Sequence, residues 1–264
     1  MTRMRPIVLL TDFGTKDSYV ASMKGVILSI FPEALLVDLS HEVAPQNIAQ
    51  AALLLEWTYS YFPPNTLFVS VADPGVGSER RILAAKTKKG IFLAPDNGLL
   101  SRVLKREKAI ELRHVTNSKF FLPKVSFTFH GRDCFAPTGA RLARNPKDFS
   151  KLGPKTKEFT PLKILEPKLR GSRIEGEILF FDHFGNAFVN IPKSLVQSHR
   201  DSASARVLVK GKSLGRIRRS YFEVKKGKAV PVFSSVDLLE IAVNHGSARE
   251  RLKLNEGDRV EITG

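Results

Sequence analysis

The sequence predicts a two-part α/β chain: an N-terminal α/β domain with a largely parallel central sheet, then a smaller C-terminal all-β domain of barrel-like form. Three observations carry this. Residues 6–143 alternate apolar runs of strand length with amphipathic stretches of helical period, the rhythm of βαβ units in which helices flank a sheet. Residues 145–167 lose that rhythm, and Pro146, Pro154, Pro161 and Pro167 punctuate a Lys-rich stretch that is the best linker in the chain. Beyond it, short β-type runs are separated by Gly and charged turns. The expected division is 1–160 for the first domain and 161–264 for the second.

Taken in order, Pro6 to Leu10 reads as a strand. Asp17 to Ile30 places Tyr19, Val20, Met23, Val26, Ile27 and Ile30 on one helical face and stops at Phe31-Pro32. Ala34 to Asp38 reads as a short strand of buried type. Ile48, Ala51, Ala52, Leu55, Tyr59 and Phe62 mark a second helix that ends before Pro63-Pro64. Thr66 to Ala72, Ile82 to Lys86 and Ile91 to Ala94 read as strands, and Pro95-Asp96-Asn97-Gly98 as a turn leading into a helix. In the second domain, Glu175 to Phe181, Ala187 to Ile191, Arg206 to Val209, Leu238 to Val243 and Arg259 to Thr263 are the expected strands.

At 264 residues with 42% hydrophobic side chains, the chain can bury a large core. No apolar run approaches the roughly 18 residues that span a bilayer. Met1 to Arg5 leads straight into a strand instead of a signal-peptide core, so a cytoplasmic protein with no membrane partner is expected. Cys134 is the sole cysteine, which excludes an intramolecular disulfide and a cysteine-based zinc site. No metal-ligand cluster or cofactor fingerprint is visible, and no cofactor is expected. The net charge of +16 is uneven: residues 1–101 hold 9 Lys/Arg against 9 Asp/Glu, so the rest of the chain carries the whole excess. Arg206 to Lys228 is densest, with nine basic residues against Glu223 alone. That cluster suits an anionic partner such as nucleic acid. The scarcity of aromatics there, only Tyr221 and Phe222, favours a solvated basic face instead.

Three stretches concentrate ionisable residues. Thr11-Asp12-Phe13-Gly14 and Asp73-Pro74-Gly75-Val76-Gly77-Ser78-Glu79-Arg80 directly follow strand-like runs, and Phe129-His130-Gly131-Arg132-Asp133 follows Val125 to Thr128. Strand ends are where open α/β sheets put chemistry, although each stretch alone reads as an ordinary Asp/Gly turn. Together with Asp96-Asn97-Gly98 and Asp182-His183-Phe184-Gly185-Asn186, they make the chain resemble the S-adenosylmethionine hydroxide adenosyltransferases. These are the hydrolase branch of the fluorinase and chlorinase superfamily, and the resemblance runs from Thr11 to about Ala248.

The resemblance implies hydrolysis of S-adenosylmethionine to adenosine and methionine, with water attacking ribose C5′ and the sulfonium leaving as a neutral thioether. Such a site must hold a water in line with the C5′–S bond, supply a proton acceptor, and fix the ribose, adenine and amino acid. In the family an Asp-Arg-His set handles the water; its positions here are Asp73, Arg80 and His130. Arg80 suits a charge-assisted pair with Asp73, and His130 can orient the water or accept a proton near neutral pH. Either Asp73 or His130 can be the base. Asp12 matches the carboxylate that grips both ribose hydroxyls. Asp17 reads equally as a helix cap or a ligand contact. Asp182, Phe184 and Asn186 match a segment whose polar members contact the methionine and adenine ends while its aromatic stacks on the base. Ser235 and Asn244 bracket a further substrate-binding segment. It keeps Glu240-Ile241-Ala242-Val243-Asn244, with Val236-Asp237 in place of the usual aromatic-glycine pair. The resemblance also implies a homotrimer with its sites at subunit interfaces.

Two other functions fit parts of the sequence. A halide-using relative would replace water by chloride or fluoride at the same carbon, but the halogenating relatives lack the Asp-Arg-His set. A noncatalytic basic module would bind RNA through Arg206 to Lys228, with salt-sensitive affinity and no turnover. Asp96-Asn97-Gly98 reads as a structural turn, and Cys134 as a small core hydrophobe.

Overall fold

Pro6–Thr11 forms β1, buried along its whole length, as expected of a strand covered on both faces. The computed structural model describes residues 5–199 and 204–264. Met1 to Met4, expected to lead directly into this strand, lie outside the described residues. Two compact units result, one ending at Lys163 and the other beginning at Ile164.

In the first unit β1 is joined by β2 (Leu35–Ser40), β3 (Thr66–Val71), β4 (Ile82–Lys86), β5 (Gly90–Pro95), β6 (Glu111–His114) and β7 (Lys155–Thr156). They form one sheet in the order β2-β1-β3-β5-β4-β6-β7. The first four are mutually parallel, and β4, β6 and β7 continue antiparallel. Alternate residues of β1 divide the core. Ile7 and Leu9 pack with Met23 and Ile27 of α1 (Tyr19–Ile30) and Ala140 of α4 (Ala136–Arg144). Val8 and Leu10 pack with Leu55 of α2 (Ile48–Thr58) and Val103 of α3 (Ser101–Arg106). Gly139 permits the close approach of α4 to the sheet, since a Cβ there would stand 2.8 Å from Val69 Cγ2.

Three sequence expectations need correction. The first helix begins at Tyr19, so Ser18, not Asp17, takes the N-cap position; Asp17 is exposed and caps nothing. β2 is not of buried type: it is the sheet's edge strand with a single neighbour, and Leu35 is exposed. The second helix ends at Thr58 and tightens into a 3₁₀ turn over Tyr59–Tyr61, which carries the apolar pattern on to Phe62. The proline-punctuated stretch belongs to the first unit as far as Lys163, and Thr160 donates its amide there to Asp96 Oδ1 at 2.7 Å.

The second unit contains β8 (Lys168–Arg170), β9 (Arg173–Phe181), β10 (Ala187–Pro192), β11 (Arg206–Val209), β12 (Lys212–Arg216), β13 (Ala229–Phe233), β14 (Leu238–Val243) and β15 (Arg259–Thr263). Two short helices, α5 (Lys193–His199) and α6 (Ala248–Arg251), accompany them. The antiparallel order is β12-β11-β15-β9-β10-β14-β13, with β8 on β9. A bridge from Arg218, just past β12, to Val232 in β13 brings the two ends of the sheet together, so it is nearly a closed barrel. Ile174, Ile178, Val189, Ile241, Val260 and Ile262 fill its interior. Among the described residues, no helix is long and apolar enough to cross a membrane.

Candidate active site

Parallel pairing of β1 with β3 matches Thr11 with Val71, so the residues just beyond these ends, Asp12 and Asp73, emerge at the same edge of the sheet. They line one cavity of about 590 Å³ with Phe13, Gln46, Thr128 and His130. Asp12 Oδ2 accepts the Gln46 amide at 2.8 Å. Burial raises the Asp12 pKa above the ordinary 3.8, and the Asp73 carboxylate adds a smaller push in the same direction. The turn carrying Asp12 is braced from below. Thr11 Oγ1 and His41 Nδ1 lie 2.7 Å apart, His41 Nε2 and Asp38 Oδ1 3.1 Å, and Gly14 donates its amide to the His41 carbonyl at 2.8 Å.

The loop after β3 turns back on itself, Gly77 taking a left-handed φ of +79° and Ser78 Oγ donating to the Gly75 carbonyl at 2.7 Å. This folds Arg80 over Asp73. Arg80 Nε donates to Asp73 Oδ1 at 3.0 Å and Oδ2 at 2.8 Å, and Nη2 donates to Oδ2 at 2.5 Å. The same Nη2 meets His130 Nδ1 at 2.8 Å. A guanidinium has only donors, so Nδ1 must be the acceptor and the neutral imidazole carries its hydrogen on Nε2. Burial, and then the positive charge of Arg80, lower the His130 pKa below the ordinary 6.5, against a weaker upward pull from Asp73 and Asp133. Neutral His130 therefore offers a donor at Nε2.

His130 is not released from a strand end: Val125–Thr128 is irregular, and His130 stands at the head of a π-helical turn, Gly131–Phe135. Asp133 holds the two together. Fully buried, it accepts the Ser126 amide and hydroxyl at 2.8 Å each and Arg132 Nε at 2.6 Å. Burial would raise its pKa, but the Arg132 and Ser126 hydrogen bonds outweigh that and hold it below 3.8. Thr11 and Asp133 lie in stretches that the sequence singles out without giving either residue a role of its own, and nothing in the sequence marked Ser126 or His41. The His-Gly-Arg-Asp stretch contained the signal for Asp133, since a carboxylate three residues after the His falls in the same turn.

A second cavity, of about 830 Å³, lies in the second unit and gathers Asp182, Phe184, Asn186, Ser235 and Asn244. Asp182 folds its own turn: Oδ1 accepts the amides of Phe184 and Asn186 at 2.9 and 2.8 Å, and Oδ2 accepts Asn186 Nδ2 at 3.0 Å. This fixes Phe184 in the open, 73% exposed, as a flat apolar surface beside polar groups. Asn244 Nδ2 donates to the Val224 carbonyl at 2.8 Å. Asp237, where the resembled family has glycine, keeps a left-handed φ of +57°, which Asp tolerates better than most residues. Asp17 lines neither cavity, and Arg80 stands behind Asp73 and His130 without lining the first. Among the described residues, no group of three or more His, Cys, Asp or Glu is placed to hold a metal ion.

Comparison with known proteins gives consistent matches. The model of the SAM hydroxide adenosyltransferase N-terminal domain matches residues 7–153, and that of the C-terminal domain matches 176–261. An (R)-S-adenosyl-L-methionine hydrolase from Thermus thermophilus is 37% identical, the alignment covering 98% of this chain and 100% of the relative. A fluorinase from Actinopolyspora mzabensis is 26% identical over 98% of this chain and 97% of its own. The crystal structure of an uncharacterized conserved protein from Thermotoga maritima superposes with a TM-score of 0.89 at 36% identity, covering 98% of this chain and 100% of the other.

The shared guanidinium makes a spectroscopic prediction. His130 should titrate below 6.5 with its hydrogen on Nε2, and Arg80→Gln should move the titration upward by removing a positive neighbour. Nitrogen-resolved NMR of the imidazole reads both; a wild-type titration above 6.5 would rule the geometry out.

Proposed function

This chain belongs to the S-adenosylmethionine hydroxide adenosyltransferase family, and from that premise we propose that it hydrolyses S-adenosyl-L-methionine to adenosine and L-methionine. The observation that carries the reading is the pair Asp73 and His130 beside Asp12 in one cavity, held from behind by Arg80. Greater identity to the hydrolase, 37% against 26% for the fluorinase, supports water over halide as the nucleophile. The hydrolase relative's name specifies the (R) sulfonium epimer, and we extend the proposal to that stereochemistry.

In this mechanism Asp12 accepts both ribose hydroxyls and sets the height of C5′ in the cavity. His130 donates from Nε2 to the attacking water and orients its lone pair toward C5′. The water oxygen forms the new C–O bond as the C5′–S bond breaks, its electron pair returning to sulfur to give a neutral thioether. The water's proton passes to Asp73, the acceptor member of the set, while Arg80 holds both partners in register. Charge is partly neutralised as hydroxide-like oxygen nears sulfonium, so a site closed to bulk water accelerates the step. The second-unit residues Asp182, Phe184, Asn186, Ser235 and Asn244 serve the amino-acid and adenine ends. A homotrimer with sites shared between subunits belongs to the same proposal. So does a cytoplasmic setting, which suits the lone Cys134, buried with its thiol pushed up to about 11 by that burial.

Reaction in isotopically labelled water tests the reading. Label should appear at the 5′ oxygen of adenosine, with the (R) epimer consumed faster than the (S). Unlabelled adenosine, or 5′-chloro-5′-deoxyadenosine as the main product in chloride, would sink it. Kinetics of single variants separate binding from chemistry. Asp12→Ala should raise KM, whereas Asp73→Asn and His130→Ala should each lower kcat by roughly 10² to 10⁴ with smaller effects on affinity. Their double variant should lose much less than the product, because both act on one water. For assembly, light scattering should report three chains per particle, and a monomer with full activity would remove the shared-site arrangement.

A further inference from the structure

The second cavity contains a carboxylate that neither the fold nor the mechanism above uses. Glu240 sits in the middle of β14, opposite Phe188 of β10 on one side and Val232 of β13 on the other. Its neighbours Leu239 and Ile241 point into the barrel core, so Glu240 faces the other way, into the cavity that Asp182 also lines. It is only 3% exposed. Tyr221 donates its hydroxyl to Oε1 at 2.7 Å. Among the described residues, no Lys or Arg lies within ion-pair distance of Glu240, although Lys226 lines the same cavity and Lys and Arg outnumber Asp and Glu throughout this unit.

A buried carboxylate without a cation is costly. In a unit this basic, a Lys or Arg partner was readily available, as Glu175, Glu223, Glu261 and Asp258 show by each having one. The cost is offset if the cation arrives with the ligand. We infer that Glu240, steadied by Tyr221, is a specificity-determining residue that receives the α-ammonium of the substrate's aminoacyl end, together with Asp182. The inference rests on the hydrolase reading. An ammonium brings three N–H donors and can divide them between two carboxylates. The substrate's other cation, the sulfonium, has no donor, so it would leave the free lone pairs of Glu240 without a hydrogen. Consistent with an acceptor awaiting a charge, burial raises the Glu240 pKa above 4.5, the Tyr221 bond opposes the rise, and the Asp182 carboxylate adds to it.

The test compares S-adenosyl-L-methionine with its desamino analogue, which keeps the sulfonium and replaces the α-amino group by hydrogen. Glu240→Gln preserves shape and the bond to Tyr221. It should raise KM for the natural substrate roughly 10- to 100-fold, the range of a lost hydrogen bond to a charged group, with kcat changed little and KM for the analogue nearly unchanged. Tyr221→Phe should move selectivity in the same direction by less, and it stands as the second variant should Glu240→Gln fail to fold. Thermal unfolding checks both. Equal losses on the two substrates, or unchanged selectivity, would overturn the inference while leaving the hydrolase reading intact. If wild-type protein neither binds nor turns over S-adenosylmethionine, the hydrolase reading falls, and the inference with it.

Discussion

Everything chemical in the first unit depends on the parallel register of β1 and β3. Pairing Thr11 with Val71 ends both strands at the same level, and two acidic residues then leave the sheet side by side. A shift of one residue would turn every core side chain of β1 to the opposite face, so the packing of Ile7, Leu9, Val8 and Leu10 on two helical layers is also what aligns Asp12 with Asp73. Core and site share one constraint, and the helices that cover the sheet also help to fix the geometry of the site at its edge.

Above that edge, a single guanidinium decides protonation. Because Arg80 spends donors on both Asp73 and His130, the imidazole is left as a donor toward the cavity and the carboxylate as the acceptor. In the proposed mechanism the two groups that the sequence leaves interchangeable as base therefore take opposite tasks, set by one shared neighbour. The geometry is maintained by buried polar braces: Asp133 against Ser126, and His41 between Asp38 and Thr11. Each is fully hydrogen-bonded, as polar groups in a low-dielectric interior must be.

Strands with long apolar runs, such as Thr66–Val71 and Ile82–Lys86, were legible because burial on both faces leaves few polar residues, here Thr66, Ser70 and the terminal Lys86. Glu111–His114 was not, since a four-residue strand with one apolar side chain resembles a loop. α4 was hidden by Pro137 and Gly139, residues that break helices in general; here the proline lies in the first turn, where its missing N–H costs nothing, and the glycine lets the helix touch β3. β13 was masked by Pro231 and by the surrounding basic residues. In the site, acids and bases within motifs were readable. Glu240 also stands in a motif, but its pairing with Tyr221 was not readable, because it joins residues 19 apart through tertiary folding alone.

The seam of the barrel gives the basic stretch a physical meaning of its own. β12 and β13 are the two ends of the sheet, and unpaired ends recruit strands from other chains. At this seam the Arg218 amide donates to the Pro231 carbonyl at 2.8 Å, and Pro231 itself has no N–H to offer. Arg216, Arg218 and Arg219 crowd the same place with like charge. An incoming β-segment would find the backbone ladder at this seam partly occupied and a group of positive charges beside it, and both features oppose the addition of a strand there.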